Sequence, residues 1–441
     1  MIKSLLVANR GEIAVRIIRA CHDLGIRAVG VYSKVDRDAL HVRLADRAIC
    51  IGPAAARESY LNGNNIISAA IHTDCDAVHP GVGFLAENSE FARLVTESGL
   101  EWIGPAPEVI DLLGDKVKAK KTTLDLGIPG IPGAEIDTGD PAGVRGAVAR
   151  LGYPVIIKAA AGGGGKGMRI VRKEGELENL LAVASNEARS AFSDGTLYLE
   201  KYLEDPRHVE IQAVAIPDGS VRLLGERDCT VQFNHQKLVE ETPSPGLTEE
   251  NRRSMEDASI TLLGSLGYAG LGTVEFLVWD GNCYFMEVNA RLQVEHSVTE
   301  MLTGIDLVRQ QIIACTENRL EVPESVSIPD CYALECRINA TAAGTVQQFI
   351  PPGGFGVRVD THLSPGLAVP PYYDALVAKV IVTGKDRHDG IRRMRRALDE
   401  FIIEGLPTNL EVQKEIISSR IFGSGDFGTT TFDSMITEGT G

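Results

Sequence analysis

Residues 154–167 read PVIIKAAAGGGGKG, a short apolar strand followed by a glycine-rich loop. Glycine occupies five of the six positions from 162 to 167, which permits positive φ angles and a close approach of the backbone to a ligand. Backbone N–H groups in such a loop can surround a phosphate, and Lys158 and Lys166 add positive charge. We therefore predict a phosphate-binding loop, with a merely flexible loop as the alternative. It is not a Walker A loop, because the sequence has no GxxxxGK[ST] segment.

Strand and helix signals alternate in the first part of the chain. An apolar run at residues 5–8 precedes apolar residues at helical spacing from 13 to 24, and another strand is predicted at 27–32. This order predicts a parallel sheet with right-handed crossovers. We therefore expect a doubly wound α/β domain over residues 1–114, and a second unit that contains the glycine loop and ends near residue 203.

The composition excludes several classes of target. The chain has 441 residues, with 44 Lys and Arg against 60 Asp and Glu, and a formal net charge of −16. This acidity argues against nucleic acid or an anionic membrane surface, so a phosphate site must be a local basic pocket. Neither a membrane-spanning apolar run nor a signal peptide is recognisable. The eight scattered cysteines predict reduced thiols, a cytoplasmic protein and no zinc site.

A second candidate site belongs to a predicted hairpin at residues 272–289. Beyond its Asp-Gly turn, polar residues alternate with apolar ones, so an extended strand would carry one polar face: Glu287, Asn289, Arg291, Gln293 and Glu295. Carboxylate and amide oxygens suit Mg²⁺ bound jointly with phosphates, and we predict Glu275, Glu287 and Asn289 as its ligands. The prediction requires Glu275 to lie opposite Glu287, which we expect from a three-residue turn at 280–282. A solvated face without function is the alternative.

Two further polar segments contain candidate anion ligands. Gln232, His235 and Lys237 follow an apolar stretch and offer donors for a phosphate or a small anion, although a single histidine is more often structural. Glu335 and Arg337 alternate with apolar residues and therefore share a face. Arg337 is permanently charged, so it could stabilise an oxyanion or form a structural ion pair.

Together these segments resemble one family. The sequence is similar to the biotin carboxylases, the ATP-grasp components of biotin-dependent acyl-CoA and pyruvate carboxylases. The similarity covers nearly the whole chain, and its segments follow the order typical of the family. They are ANRGEIA at 8–14, HPG at 79–81, GDK at 114–116, the glycine loop, EKYL at 200–203, PRHVE at 206–210, ERDC at 226–229, HQK at 235–237, RLQVEH at 291–296, ECRINA at 335–340 and PYYD at 371–374.

The resemblance implies an ATP-grasp fold of mixed α/β and α+β class. It places the N-terminal α/β domain at 1–114, the ATP-grasp region at 115–317 and the C-terminal domain at 318–441. A mobile lid is expected at about 131–203, and its closure would exclude water from a labile intermediate.

The resemblance also implies an activity and its residues. ATP and bicarbonate would give carboxyphosphate, which would carboxylate biotin held on a carrier protein. Glu295 would deprotonate bicarbonate, and Arg337 would stabilise the biotin enolate. Bicarbonate would be held by Lys237, Arg291, Gln293 and the backbone at Val294. Nucleotide with Mg²⁺ or Mn²⁺ would be bound by Lys116, Lys158, Gly164, Gly165, Gly167, Glu200, Lys201, Tyr202, Leu203, His208, Gln232, His235, Glu275 and Glu287.

The chain departs from the family in several places. Val82 stands where Tyr is usual, and Ser297 stands where Pro is usual. Phe233 and Asn234 replace two Arg, and the loop after Ala340 is shorter. Val82 and Phe233-Asn234 lie near the expected carboxylation centre, so an ATP-grasp ligase acting on another amine- or urea-like acceptor is the alternative. A nucleotide-binding regulatory subunit is a third interpretation, against which the complete Mg²⁺ face argues.

The expected partners are other proteins. The sequence contains no Ala-Met-Lys-Met-like biotin attachment segment. The biotin carboxyl carrier protein and the carboxyltransferase are therefore expected on other polypeptides or in other parts of a longer gene product. The resemblance suggests a homodimer, and it leaves the final acyl-CoA or keto-acid substrate open because the transferase selects it.

Overall fold

The N-terminal part of the chain is a parallel sheet covered by helices. The computed structural model describes residues 2–137, 139–159, 169–192, 197–234, 236–324 and 331–439. Its first elements are β1 (Ser4–Val7), α1 (Gly11–Asp23), β2 (Arg27–Ser33), α2 (Leu40–Leu44), β3 (Arg47–Gly52), α3 (Gly63–His72), β4 (Ala77–His79), α4 (Ser89–Glu97) and β5 (Glu101–Trp102). The strand order is β3-β2-β1-β4-β5, with every neighbouring pair parallel.

Helices cover both faces of this sheet because alternate strand residues enter two different cores. Leu5 and Val7 of β1 pack with Ile17 of α1, whereas Leu6 packs on the other side with Ile66 of α3. The predicted doubly wound α/β arrangement is therefore confirmed.

The next part of the chain contains a small sheet with its own core. Its elements are α5 (Pro107–Gly114), α6 (Lys116–Asp125), β6 (Gly133–Ile136), α7 (Pro141–Leu151), β7 (Val155–Ala159), β8 (Arg169–Val171), α8 (Glu174–Phe192) and β9 (Leu197–Lys201). The strand order is β6-β9-β7-β8, all antiparallel, over a separate apolar cluster that includes Ile157, Leu181 and Leu199. The glycine loop falls between β7 and β8 and lies outside the described residues.

An eight-stranded antiparallel sheet forms the rest of the molecule's frame. The elements up to the C-terminal part are β10 (Arg207–Ala215), β11 (Val221–Phe233), β12 (Gln236–Thr242), α9 (Glu249–Ser265), β13 (Gly270–Trp279), β14 (Asn282–Asn289), α10 (His296–Thr303), α11 (Leu307–Glu317) and β15 (Tyr332–Asn339). The remaining elements are β16 (Gly344–Thr345), β17 (Gln348–Ile350), β18 (Val357–Thr361), β19 (Ala368–Val369), β20 (Leu376–Gly384), α12 (Arg387–Glu400), β21 (Ile402–Glu404), α13 (Leu410–Ser418), α14 (Arg420–Ser424) and α15 (Asp433–Gly439).

The order of the large sheet is β14-β13-β10-β11-β12-β15-β20-β18. One sheet thus contains strands from both sides of residue 317, and the domain boundaries given above stay predictions. None of the helices within the described ranges combines the length and hydrophobicity that a bilayer crossing requires.

Candidate active site

The hairpin of β13 and β14 brings Glu275 opposite Glu287, as predicted, but by a different route. Trp279 pairs with Asn282, so the turn has two residues, Asp280 and Gly281, both with positive φ. The expected three-residue turn is therefore wrong. A bulge at Met286 adds the missing residue, because Phe276 pairs with Phe285 whereas Glu275 already pairs with Glu287.

The predicted metal ligands lie together on this hairpin. The Asn289 amide donates to Glu275 Oε1 at 2.8 Å. Partial burial and the nearby charge of Glu275 raise the pKa of Glu287, whose Oε2 lies 3.8 Å from Lys116 Nζ. Glu275 and Glu287 are neighbouring carboxylates, and Glu287 is only loosely paired with a cation, so together they offer the oxygen ligands that a hard divalent cation such as Mg²⁺ prefers.

The extended polar face ends earlier than predicted. Strand β14 stops at Asn289, and Glu295 is the N-cap of α10, so the alternation from 287 to 295 does not lie on one strand. Arg291 is consequently turned toward the N-terminal part. Its Nε donates to Glu87 Oε2 at 2.9 Å, and its Nη2 donates to Asn289 Oδ1 at 2.9 Å. Glu295 nevertheless reaches the same site, because the turn between β14 and α10 brings it there instead of a continued strand.

Lys237 is the centre of the site. Its ammonium donates to Glu210 Oε2 at 2.6 Å, to Glu275 Oε1 at 2.8 Å and to Glu295 Oε1 at 2.6 Å. Burial opposes the charged ammonium, but the surrounding carboxylates outweigh it and raise the pKa of Lys237 well above its ordinary value. Glu210 was missed from the sequence, although it belongs to the PRHVE segment that carries the resemblance.

Arg337 lies on the other side of Glu295. Its Nη2 approaches Glu295 Oε2 at 3.1 Å, and its Nε donates to Glu240 Oε1 at 2.5 Å. Burial alone would raise the pKa of the Glu295 carboxyl, yet Lys237 and Arg337 hold it well below its usual range. Glu240 is a fully buried carboxylate that sequence analysis missed, because alternation along β12 does not reveal which cation it meets.

A buried arginine supports this cluster from behind. Arg227 is fully buried, and its guanidinium binds Glu210 Oε1 at 2.5 Å and Gln293 Oε1 at 2.8 Å. The Gln293 amide in turn donates to Glu275 Oε1 at 2.9 Å. Arg227 was also missed as a site residue; an arginine within an otherwise strand-forming segment is the signal that could have found it.

The predicted nucleotide residues are only partly brought together. His208 Nε2 hydrogen-bonds Glu275 Oε2 at 3.0 Å, which places it at the hairpin. Gln232 pairs across the strands with Lys237 and so borders the same site. His235, Gly164, Gly165 and Gly167 lie outside the described residues.

The segment 200–203 divides its side chains between two sides. Buried Glu200 pairs with Lys158 and with Lys120, a cation that sequence analysis missed. Lys201 instead donates to the carbonyl oxygens of Gly152 and Tyr153, both at 3.1 Å, and so turns away from Glu200. Leu203 is buried and Tyr202 half-buried.

We predicted a local basic pocket, but the structure has a network of ion pairs in its place. Each of the five cations expected to supply it has a carboxylate neighbour: Lys116, Lys158, Lys237, Arg291 and Arg337. An isolated basic pocket would cost more free energy to bury than paired charges do, which explains the difference. An anionic substrate would therefore have to displace a carboxylate in order to bind one of these cations.

The departures from the family pattern have identifiable surroundings. Val82 is half-buried beside the N-terminal core, and its carbonyl accepts from the Asn9 amide at 2.9 Å. Phe233 packs against the C-terminal core, and Asn234 occupies the β11–β12 turn with φ of 49°. Ser297 is fully buried in the first turn of α10.

Comparisons with known proteins agree with this architecture. The family model "Biotin carboxylase, N-terminal domain" matches residues 1–110. The model "Carbamoyl-phosphate synthase L chain, ATP binding domain" matches residues 115–322, and "Biotin carboxylase C-terminal domain" matches 335–434.

Individual relatives align over their whole length. Biotin carboxylase 1 of Bacillus subtilis is 49% identical over 452 residues, covering 99% of this chain and 100% of the relative. A biotin carboxylase from Campylobacter jejuni, solved as a β-γ-ATP complex, is 41% identical with a TM-score of 0.91 and 98% coverage of each chain. The biotin carboxylase domain dimer of Hydrogenobacter thermophilus 2-oxoglutarate carboxylase, solved with MgADP, ADP and bicarbonate, is 42% identical with a TM-score of 0.91, covering 100% of this chain and 99% of that one. The chain therefore belongs to the biotin carboxylase family.

Proposed function

We propose that this chain uses ATP and bicarbonate to carboxylate biotin on a carrier protein through carboxyphosphate. The observation that carries the proposal is the Glu295 carboxylate, buried and held ionised between Lys237 and Arg337. Such a group is available as a base at neutral pH, and it lies beside the two cations that an incoming anion would seek.

Bicarbonate would change the basicity of Glu295. When bicarbonate takes over contacts with Lys237 and Arg337, Glu295 loses part of the charge that holds its pKa down. The carboxylate then becomes a stronger base next to the proton it must remove. Arg291 and Gln293 complete the proposed bicarbonate site, with Arg227 fixing Gln293 at 2.8 Å.

The nucleotide would occupy the side of the site that faces β14. Glu275, Glu287 and Asn289 would hold Mg²⁺ or Mn²⁺, which when bound neutralises phosphate charge in phosphoryl transfer. Lys116, Lys158, His208 and the glycine loop are the proposed phosphate-binding groups. Lys158 is paired with Glu200, so we infer that phosphate binding exchanges one anionic partner for another.

Arg337 is proposed to act in the second half of the reaction. Its permanent charge and its place next to Glu295 suit it to stabilise the enolate that forms as the biotin N1′ nitrogen loses its proton. The carrier protein and the carboxyltransferase are proposed as partners outside these 441 residues, and a homodimer is proposed as the assembly. The eight cysteines form no disulfide, which is compatible with a reducing compartment such as the cytoplasm.

The test is ATP hydrolysis measured in bicarbonate-free buffer and with added bicarbonate, each with and without free biotin or a biotinylated carrier. We expect hydrolysis to depend on bicarbonate and to be stimulated by biotin, with carboxybiotin as product. ATP cleavage that ignores bicarbonate would contradict the assignment. Bicarbonate dependence without any response to biotin or carrier would point to another acceptor.

A further inference from the structure

A fully buried lysine lies behind the turn that carries Glu295. Lys379 is on β20, paired with Arg337 of β15 on one side and with Asp360 of β18 on the other. Its ammonium donates to the carbonyl oxygen of Val294 at 2.6 Å and to Ser297 Oγ at 2.8 Å. The ammonium of Lys379 makes its hydrogen bonds, within the described residues, to this turn and its helix, not to the side chains proposed above to bind bicarbonate.

The Ser297 hydroxyl connects Lys379 to a buried acid. Because Oγ accepts from Lys379, its single proton is free to be donated, and it goes to Glu335 Oε2 at 2.8 Å. Glu12 Oε2 at 3.7 Å and Asp360 Oδ2 at 3.8 Å are the other acidic groups around the ammonium. The buried ammonium of Lys379 is thus stabilised by acidic groups that come from several elements of the fold.

The turn from Gln293 to Glu295 is anchored by its two carbonyl groups. The Gln293 carbonyl accepts from His296 Nδ1 at 2.8 Å, and burial lowers the pKa of His296 to about 3, so the ring is neutral. The Val294 carbonyl accepts from Lys379. In a trans peptide the C=O and N–H groups point in opposite directions. Anchoring the two carbonyls therefore directs the N–H groups of Val294 and Glu295 the other way.

These two N–H groups are available to a ligand. Among the residues that the structure describes, neither the Val294 nor the Glu295 amide donates to a protein acceptor. Two adjacent amides without a protein acceptor can form an anion-binding concavity, and Glu295 itself borders it. The orientation of the second amide depends on one contact, that of Lys379 with the Val294 carbonyl.

We propose that Lys379, bridged by Ser297 to Glu335, is a positioning residue that aims the Glu295 amide and side chain at bicarbonate. The proposal rests on the proposed function, since it concerns the same bicarbonate site. Without the ammonium, the Val294–Glu295 peptide can rotate, and the anion loses one preorganised donor. The binding of bicarbonate is therefore weakened, whereas the nucleotide side of the site, built on β14 and α6, is unchanged.

The experiment compares three variants in steady-state kinetics with bicarbonate and ATP varied separately. For Lys379→Met we expect kcat/KM for bicarbonate to fall by about 30-fold, the loss typical of a charge-assisted hydrogen bond. For Ser297→Ala, which keeps the lysine, we expect KM for bicarbonate to rise by only about fivefold, because the ammonium still bonds the Val294 carbonyl and loses only its hydroxyl partner. KM for ATP should change by less than about twofold in both.

The matched control is Ser259→Ala. Ser259 is an equally buried serine whose hydroxyl donates to the Met255 carbonyl within α9, away from the turn. A purely structural role for Lys379 and Ser297 would lower the melting temperature and kcat while leaving KM for bicarbonate unchanged, and that result would overturn the proposal. If Lys379→Met does not fold, Ser297→Ala decides: a KM for bicarbonate equal to that of Ser259→Ala would overturn it. A wild-type enzyme without bicarbonate dependence would instead refute the proposed function, and the positioning role with it.

Discussion

The Glu295 carboxylate is shared by two cations, Lys237 at 2.6 Å and Arg337 at 3.1 Å. We predict that Glu295→Gln lowers bicarbonate-dependent ATP hydrolysis about a thousandfold, because the neutral amide cannot accept the proton. Nucleotide affinity should stay within about twofold of the wild type, since the side-chain contacts of Glu295 within the described part of the chain are with Lys237 and Arg337 and not with the proposed nucleotide residues. Calorimetric titration with ADP measures this second quantity.

A surface carboxylate provides the control for this substitution. Glu411 is exposed and pairs with Lys414 one helical turn away, so Glu411→Gln should leave both quantities unchanged. Loss of nucleotide binding in Glu295→Gln would show that Glu295 serves the nucleotide and that the proposed base is misplaced.

Arg337 permits a separation of the two half-reactions. We predict that Arg337→Ala lowers carboxyl transfer to biotin by about a hundredfold or more, the loss expected when an oxyanion loses its donor. Bicarbonate-dependent ATP hydrolysis should fall less than about tenfold, because Lys237 still neutralises Glu295. Both rates are measured on the same preparation, one as carboxybiotin and the other as released phosphate. Equal losses in the two rates would refute a specific role with biotin.

At the residue scale, sequence analysis identified side chains whose chemistry is unusual in a strand and missed those that act through burial. Lys237, Glu295 and Arg337 were predicted, and they meet in the structure. Glu210 and Glu240 were missed because a carboxylate on a strand looks the same whether it faces water or a buried cation. Only the pairing of strands decides this, and Glu210 meets its cation across 27 residues of sequence.

At the element scale, the β13–β14 hairpin shows how a correct pairing can be predicted from an incorrect turn. We predicted the register from the requirement that Glu275 and Glu287 share a face. In the structure, the Asp-Gly segment forms a two-residue turn irrespective of that requirement. The bulge at Met286 reconciles the two, and it has no glycine that could have marked it in the sequence. The end of β14 at Asn289 was hidden for a similar reason, since a period-two pattern continues through the turn to Glu295.

Strand β4 ends on a histidine whose ionisation is coupled to folding. His79 is fully buried, and its Nδ1 accepts from the Gly81 amide at 3.0 Å. Burial lowers the pKa of His79 from 6.5 to about 3, so the folded protein does not take up this proton at mildly acidic pH. The unfolded chain does take up this proton at mildly acidic pH. The contribution of His79 to the free energy of unfolding is therefore fully present above pH 6.5 and is lost as the pH falls toward 3.

We predict that His79→Asn removes this part of the acid sensitivity, because the Asn Oδ1 can accept from Gly81 but does not titrate. Between pH 7.5 and pH 5.5 the wild type should lose about 1.4 kcal/mol of unfolding free energy relative to the variant. Urea unfolding at the two pH values measures the difference. An identical pH dependence in both proteins would mean that His79 is protonated in the folded state.

At the scale of the whole molecule, the candidate site is a property of one sheet. Neighbouring strands β13, β10, β11, β12 and β15 each contribute a charged side chain: Glu275, Glu210, Arg227, Lys237 and Arg337. Sequence resemblance could predict this gathering, but local pattern could not, because the strands are brought side by side only by the complete antiparallel order. The same order lets the C-terminal strand β20 support the Glu295 turn through Lys379.

The metal site gives a prediction for the stability of the whole chain. Partial burial and the charge of Glu275 raise the pKa of Glu287, so the two carboxylates repel each other and a divalent cation would relieve that repulsion. We expect ADP with Mg²⁺ at a hundred times its dissociation constant to stabilise the fold by about 2.7 kcal/mol, and ADP at the same concentration with EDTA to stabilise it much less. Thermal unfolding followed by fluorescence measures both. Glu287→Gln should remove most of the Mg²⁺-dependent increment and keep the part due to nucleotide alone, whereas Glu411→Gln should behave as the wild type. If Glu287→Gln retains the full Mg²⁺-dependent increment, the metal is held by other residues, and the donor cluster of His208, Glu210 and Glu275, whose ligand atoms lie within 4.8 Å of one another, becomes the site to test.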